Sequence, residues 1–166
     1  FEKSLYRLKR NKINILFLHN PRKIKNIKKV LEFVHELKRQ NKIQNYGISL
    51  AKNFEYSRDF LKQFNYFQLD FNIFYQKHSF DSFYKKKEIY IRSPFASGLI
   101  FKQENFKFQK GDHRIEWASK RRVSNIIKTV KIFENVCKKK IHDLSISFIK
   151  KSRLSNKVIF GLKNYN

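Results

Sequence analysis

The chain has 166 residues, is 41% hydrophobic with 18 Phe, and carries 38 Lys+Arg against 13 Asp+Glu, a formal charge of +25. That much apolar side chain excludes a disordered polyelectrolyte, and no apolar run nears the roughly 18–20 residues that span a bilayer, so no membrane partner is expected. The single Cys137 excludes an internal disulfide and fits a reducing, cytoplasmic setting.

The chain begins at Phe1 and contains no Met, from which a missing N-terminal part is expected. In chain order, Ile13–Leu18 has few polar interruptions, as a strand buried on both faces should. It ends at His19-Asn20-Pro21, where Asn20 can cap a helix and Pro21 can open one. A helix is expected from about Lys23 to Asn41, because Ile24, Ile27, Val30, Leu31, Val34 and Leu37 recur at three and four. A short strand over Tyr46–Ser49 precedes a helix from about Glu55 to Phe64. Phe67, Leu69 and Phe71 then alternate with Gln68, Asp70 and Asn72, which is a strand with one polar face.

Ser79–Lys87 reads as helical, and Glu88–Arg92 as a strand halted by Ser93-Pro94. The stretch from Phe95 to about Trp117 exceeds an ordinary connection, which marks it as functional or disordered. Helices are expected over Val123–Lys140 and Asp143–Lys151, then a last strand over Val158–Phe160 before Gly161. Five strands alternating with helices make an α/β chain of parallel units, read as a single domain over residues 1–166. A doubly wound sheet and a (β/α)8 barrel both fit this alternation. Neither G-x-G-x-x-G nor G-x-x-x-x-G-K-S/T is present.

Particular strings narrow the choice. Ser4-Leu5-Tyr6-Arg7-Leu8 with Ile15–Pro21 resembles the "SLxRL … LxxLHxP" segment of aldo/keto reductases. Asn41-Lys42-Ile43 with Tyr46-Gly47-Ile48-Ser49 is similar to "GKIRxxGxS", and Phe67–Asn72 to "vQxxyN". Arg92–Leu99 resembles "RxPLxSGLL", Asp112-His113-Arg114 a "DHR" found after that loop in one branch, and Val158–Asn164 "vIxGxKN". Six strings in the right order cover the whole chain and correspond to strands four to eight of the family's (β/α)8 TIM barrel.

The resemblance implies an oxidoreductase that reduces an aldehyde or ketone with NADPH, with its site at the C-terminal strand ends. It places His19 on the catalytic histidine that orients and polarises the carbonyl. It places Ser49 and Gln68 on the positions that hold the nicotinamide carboxamide, which needs both a donor and an acceptor. Arg92 falls where a planar group lies against the nicotinamide. Ser93, Phe95 and Ser97 match the loop around the pyrophosphate, and Gly161, Lys163 and Asn164 the region near the adenosine 2′-phosphate.

Leu50 departs from the Asn that often follows the serine, so one carboxamide contact is lost. The family's catalytic aspartate, tyrosine and lysine lie on earlier segments and have no match here, so the chain as given is not expected to complete the chemistry. His113, with Asp112 and Arg114, reads as a loop lock or a substrate-side element, the lock being favoured. His78 and His142 are isolated, and no Cys/His spacing supports a metal site.

The charge leaves a second functional class open: a basic, non-catalytic protein on a decayed reductase barrel, binding RNA or another polyanion through counterion release. The cationic excess is Lys rather than bidentate Arg and runs the full length. With abundant Asn, Ile and Phe, that favours coding bias and restricts any nucleic-acid binding to the nonspecific kind.

Overall fold

A computed structural model describes residues 1–21, 24, 26–52, 54–78, 81–155 and 157–161. In chain order the elements are α1 (Glu2–Leu8), β1 (Ile13–His19), α2 (Ile27–Arg39), β2 (Ile43–Ser49), α3 (Arg58–Lys62), β3 (Tyr66–Asp70), β4 (Glu88–Arg92), α4 (Lys120–Cys137), α5 (Ile141–Ser152) and β5 (Lys157–Val158). Short 3₁₀ turns cover Ser82–Lys86, Ala96–Phe101 and His113–Glu116. The strands form one five-stranded sheet in the order β1-β2-β3-β4-β5. Spatial order thus follows chain order, without the reversal that defines a doubly wound sheet.

The chain divides into two compact units, Phe1–Leu69 with Asp81–Tyr90, and Asp70–Phe80 with Ile91–Asn166. In the first, β1 and β2 are parallel, with Ile13 opposite Ile43 and Leu18 opposite Ile48. β2 and β3 are also parallel, with Ile48 opposite Phe67. α2 seats Val34 and Leu37 with Ile43 in an apolar cluster that Leu16, Leu18 and Tyr46 join from the strands. Val34 and Leu37 lie one turn apart on one stripe, and burying each contributes about 1.5–3 kcal/mol. Asn26 caps this helix by accepting from Lys29 N at 3.2 Å, while Lys38 and Arg39 sit in its last turn, where cations suit the helix dipole.

The core of the second unit is the buried face of α4, Val123, Ile126, Ile127 and Val130, against Ala96, Leu99, Ile100 and Ile141. Ser119 starts α4 by accepting from Arg122 N at 3.2 Å, and Lys138, in left-handed geometry, ends it. α5 has no side-chain cap of its own. Glu134 takes that role from α4 by accepting from Ile141 N at 2.9 Å.

Several boundaries differ from those expected. Asn20 does not cap α2; Asn26 does. Asn20 is left-handed at φ 48° and its N–H donates to Ser49 O at 2.9 Å, so tertiary pairing takes the residue that local pattern assigned to a helix. The expected helix ending at Lys87 is a 3₁₀ turn over Ser82–Lys86, begun by Asp81 accepting from Phe83 N at 3.0 Å. The last strand is two residues long, and Ile159 N donates to Ile91 O at 2.8 Å just beyond it. The long segment after β4 carries 3₁₀ turns at its two ends, Ala96–Phe101 and His113–Glu116, with loop and turns over residues 102–112 between them.

Candidate active site

The register of the first unit aligns three polar residues. His19 is the Cα partner of Ser49, and Ser49 is the Cα partner of Gln68. Side chains alternate along a strand, so residues in register share a face. His19, Ser49 and Gln68 therefore form one row across the C-terminal ends of β1, β2 and β3. The row is tied by Asn20 N donating to Ser49 O at 2.9 Å and Leu50 N donating to Gln68 O at 3.1 Å. Ser49 is fully buried, yet among the described residues its Oγ has no hydrogen-bond partner, and neither does the buried Oδ1 of Asn20. An unpaired buried hydroxyl costs stability. His19 is exposed at the end of the row.

One layer below, the same face carries Phe17, Gly47 and Tyr66, again in register. Phe17 meets Tyr90 edge-on at 5.4 Å between ring centroids. A Cβ on Gly47 would stand 2.4 Å from Tyr66 O and 2.8 Å from Phe17 Cε1. Only glycine leaves room for two rings beside it, so this layer is a packed floor beneath the polar row.

In the second unit Asp70, Asn72, Asp112 and Arg114 are paired, while the Oγ of fully buried Ser145 on α5 has no partner among the described residues. Asp70, 5% exposed, accepts from Arg92 Nη2 at 2.8 Å. The Tyr75 phenol is pushed above its ordinary range by burial, then by the nearby Asp70 carboxylate, with Arg122 and Arg92 opposing. Buried Asn72 donates from Nδ2 to Ser93 O at 3.0 Å and accepts from Phe74 N at 3.0 Å. After β4 the backbone is left-handed at Ser93, Ala96, Ser97 and Gly98. Asp112 and Arg114 form a two-bonded pair, Nε to Oδ1 at 2.9 Å and Nη2 to Oδ2 at 2.6 Å, and Arg114 Nη1 donates to Ser97 O at 3.1 Å. Arg114, through its side chain and then its own backbone N–H, draws the Asp112 carboxyl down to about 2.

A sequence profile described as the aldo/keto reductase family matches residues 1–166. The chain belongs to the aldo/keto reductase family. Among solved structures it is similar to the glycerol dehydrogenase AKR11B4 from Gluconobacter oxydans, at 17% identity and a TM-score of 0.72, covering 95% of this chain and 52% of that one. It is also similar to the aldo-keto reductase AKR11C1 from Bacillus halodurans, at 17% identity and a TM-score of 0.64, covering 98% and 56% respectively. No curated protein matches the sequence. The chain thus spans about half the length of these structures, and its five strands follow the fold of part of the reductase (β/α)8 barrel.

Of the residues expected at the site, the fold brings His19, Ser49 and Gln68 into one row. Arg92 ends β4 and engages Asp70. Ser93, Phe95 and Ser97 lie together on the segment after it. Phe95 is half-buried, with its ring 5.2 Å from Phe101 and 5.6 Å from Phe160. Gly161 is exposed, with nothing within 4 Å of where a Cβ would stand. Lys163 and Asn164 lie outside the described residues. Sequence reasoning missed the orphaned Asn20 amide oxygen and the pairing of Asp70 with Arg92, and it read a lock at Asp112-His113-Arg114 without naming Ser97 as the residue held. A signal for the first was present: Asn before Pro after a strand, Asn being among the non-glycine residues that best tolerate left-handed geometry. Among the described residues, no helix is long and apolar enough to cross a membrane, and no group of three or more His, Cys, Asp or Glu could hold a metal ion.

Proposed function

We propose that this chain supplies the carbonyl-orienting histidine and the nicotinamide-binding residues of an NADPH-dependent reductase of aldehydes or ketones. The observation that carries this reading is the row His19–Ser49–Gln68, in register on three adjacent strand ends, with Ser49 Oγ buried and unpartnered. The donor set fits the cofactor. A carboxamide presents one acceptor and two donors; the Ser49 hydroxyl can donate or accept, and the Gln68 amide can do both. The cofactor, when bound, supplies the hydride.

The chain's own residues hold and orient. Ser49 and Gln68 fix the carboxamide and hence the ring face. His19, exposed at the end of the row, donates to the substrate carbonyl oxygen and stabilises charge developing there, the kind of preorganised contact that lowers a barrier most. Arg92 offers a planar cation near the end of β4, kept in place by Asp70. Ser93, Phe95 and Ser97 belong to the segment proposed to take the pyrophosphate, and Gly161, Lys163 and Asn164 to the 2′-phosphate region. The tyrosine, aspartate and lysine of the family pattern have no match in this chain, so proton delivery is not assigned to it. No specific observation favours the polyanion-binding alternative.

In the full-length protein, His19→Ala should lower turnover by about 10²-fold while leaving the NADPH dissociation constant within about twofold. Steady-state kinetics on a simple aldehyde with a parallel fluorescence titration of NADPH read both quantities. Undiminished turnover would remove His19 from the site.

A further inference from the structure

We infer that Arg114 is a positioning residue: clamped by Asp112, it holds the Ala96–Ser97–Gly98 turn in its left-handed form and so sets the affinity of that turn for the dinucleotide. The ligand's identity rests on the function proposed above; the clamp does not.

Three successive residues, Ala96 at φ 48°, Ser97 at φ 56° and Gly98 at φ 78°, are left-handed. L-residues avoid this region, and only a structure that over-determines them keeps two non-glycines there in a row. The turn's own backbone contributes Gly98 N donating to Phe95 O at 2.9 Å. Ala96 N also donates to Ser93 O at 3.0 Å, and Ala96 and Leu99 are buried in the core; the side-chain restraint comes from 17 residues downstream, where Arg114 Nη1 donates to Ser97 O at 3.1 Å. The guanidinium is itself immobilised on three sides. Both Asp112 oxygens accept from it. Asp112 is anchored in turn, its Oδ1 accepting from Arg114 N at 2.9 Å. The rings of Phe106 and Phe108 lie against the cation, with the guanidinium carbon 5.8 and 5.4 Å from their centroids.

The pair is mostly shielded from water, Arg114 being 18% and Asp112 14% exposed, so it is not an ordinary surface ion pair of negligible worth. The geometry needs arginine. Its planar fork bonds a carboxylate with two N–H groups and keeps a third for Ser97 O, whereas a lysine ammonium is a point donor that cannot span all three. His113 lies between the two clamp residues and is exposed, so the lock falls to its neighbours.

The test uses Arg114→Ala and Arg114→Lys in the full-length protein. Amide hydrogen exchange over residues 96–102 should speed up about tenfold in both variants, with circular dichroism unchanged. The NADPH dissociation constant should rise about tenfold to a hundredfold, the worth of a charge-assisted hydrogen bond. Turnover at saturating NADPH should stay within about twofold, because the turn contributes equally to ground and transition states. Unchanged exchange overturns the clamp. Parent-like NADPH affinity in Arg114→Lys overturns the role of the fork, since charge alone would then suffice. If the parent protein binds no NADPH, the proposed function fails and the exchange result alone decides the clamp.

Discussion

In the first unit Ser49 Oγ is buried without a partner and His19 stands exposed at a strand end; in the second, Arg92 closes on Asp70 at 2.8 Å and Arg114 on Asp112 at 2.6 Å. His19, Ser49, Asp70 and Arg92 stand at strand ends, where barrels carry their chemistry, and Asp112 and Arg114 at the 3₁₀ turn His113–Glu116. They differ in what satisfies them. The first set is placed by strand register, which costs no side-chain partner and leaves hydrogen-bonding capacity for something else. The second set is placed by mutual pairing, so its capacity is largely consumed in holding backbone and neighbours. Groups of the first kind keep bonding capacity for a ligand, as proposed above, and groups of the second kind spend theirs on the fold of their own unit.

The comparison breaks first at Arg92. Asp70 is 5% exposed and lies against the Arg92 guanidinium, so Arg92→Ala leaves a buried carboxylate without its cation. Urea unfolding should show a loss of about 3–5 kcal/mol, the usual cost of breaking a buried pair from one side. A loss below about 1 kcal/mol, the range of exposed pairs, would place Asp70 in contact with water and remove the contrast between the units.

A smaller effect sharpens it through pH. Asp112 is held at about 2 against an ordinary value of 3.8, chiefly by the Arg114 side chain. A depressed folded-state pKa means that the stabilisation is present in full above the unfolded value and disappears as pH falls from about 3.8 through about 2. The clamp should therefore be intact at every pH from 4 upward. Carboxyl carbon shifts followed by NMR should place the Asp112 titration near the low value, and Arg114→Ala should return it toward 3.8. A parent carboxyl titrating near 4 would mean that the pair is open in solution.

The two regions also differ in how far their sequence exposes them. Gln68 stands between Phe67 and Leu69, and period-two alternation assigns its face without any tertiary knowledge. His19 and Ser49 end strands whose apolar runs are legible, so the row follows once the strands pair in order. The limits lie where a distant group overrides local preference. Asn20 has the composition of a helix cap, but its N–H is taken by Ser49 O on the neighbouring strand. The helix expected before β4 is shortened to a 3₁₀ turn begun by Asp81. β5 is two residues long although Val158-Ile159-Phe160 reads as a strand. Between Phe95 and Trp117 no periodicity exists to read, because the conformation is set by single side chains. The Arg114 bond to Ser97 O joins residues 17 apart through contacts that neither propensity nor pattern encodes.

If Ser49 is kept for a ligand and not for the fold, as proposed above, Ser49→Ala separates the two. Thermal unfolding of the full-length protein and NADPH titration are measured on the same samples. Removing a buried hydroxyl that has no partner should raise the stability of the ligand-free protein by about 1 kcal/mol while weakening NADPH binding about tenfold. A variant that loses stability and binds NADPH as tightly as its parent would contradict the account, because Ser49 would then serve the fold and not the ligand.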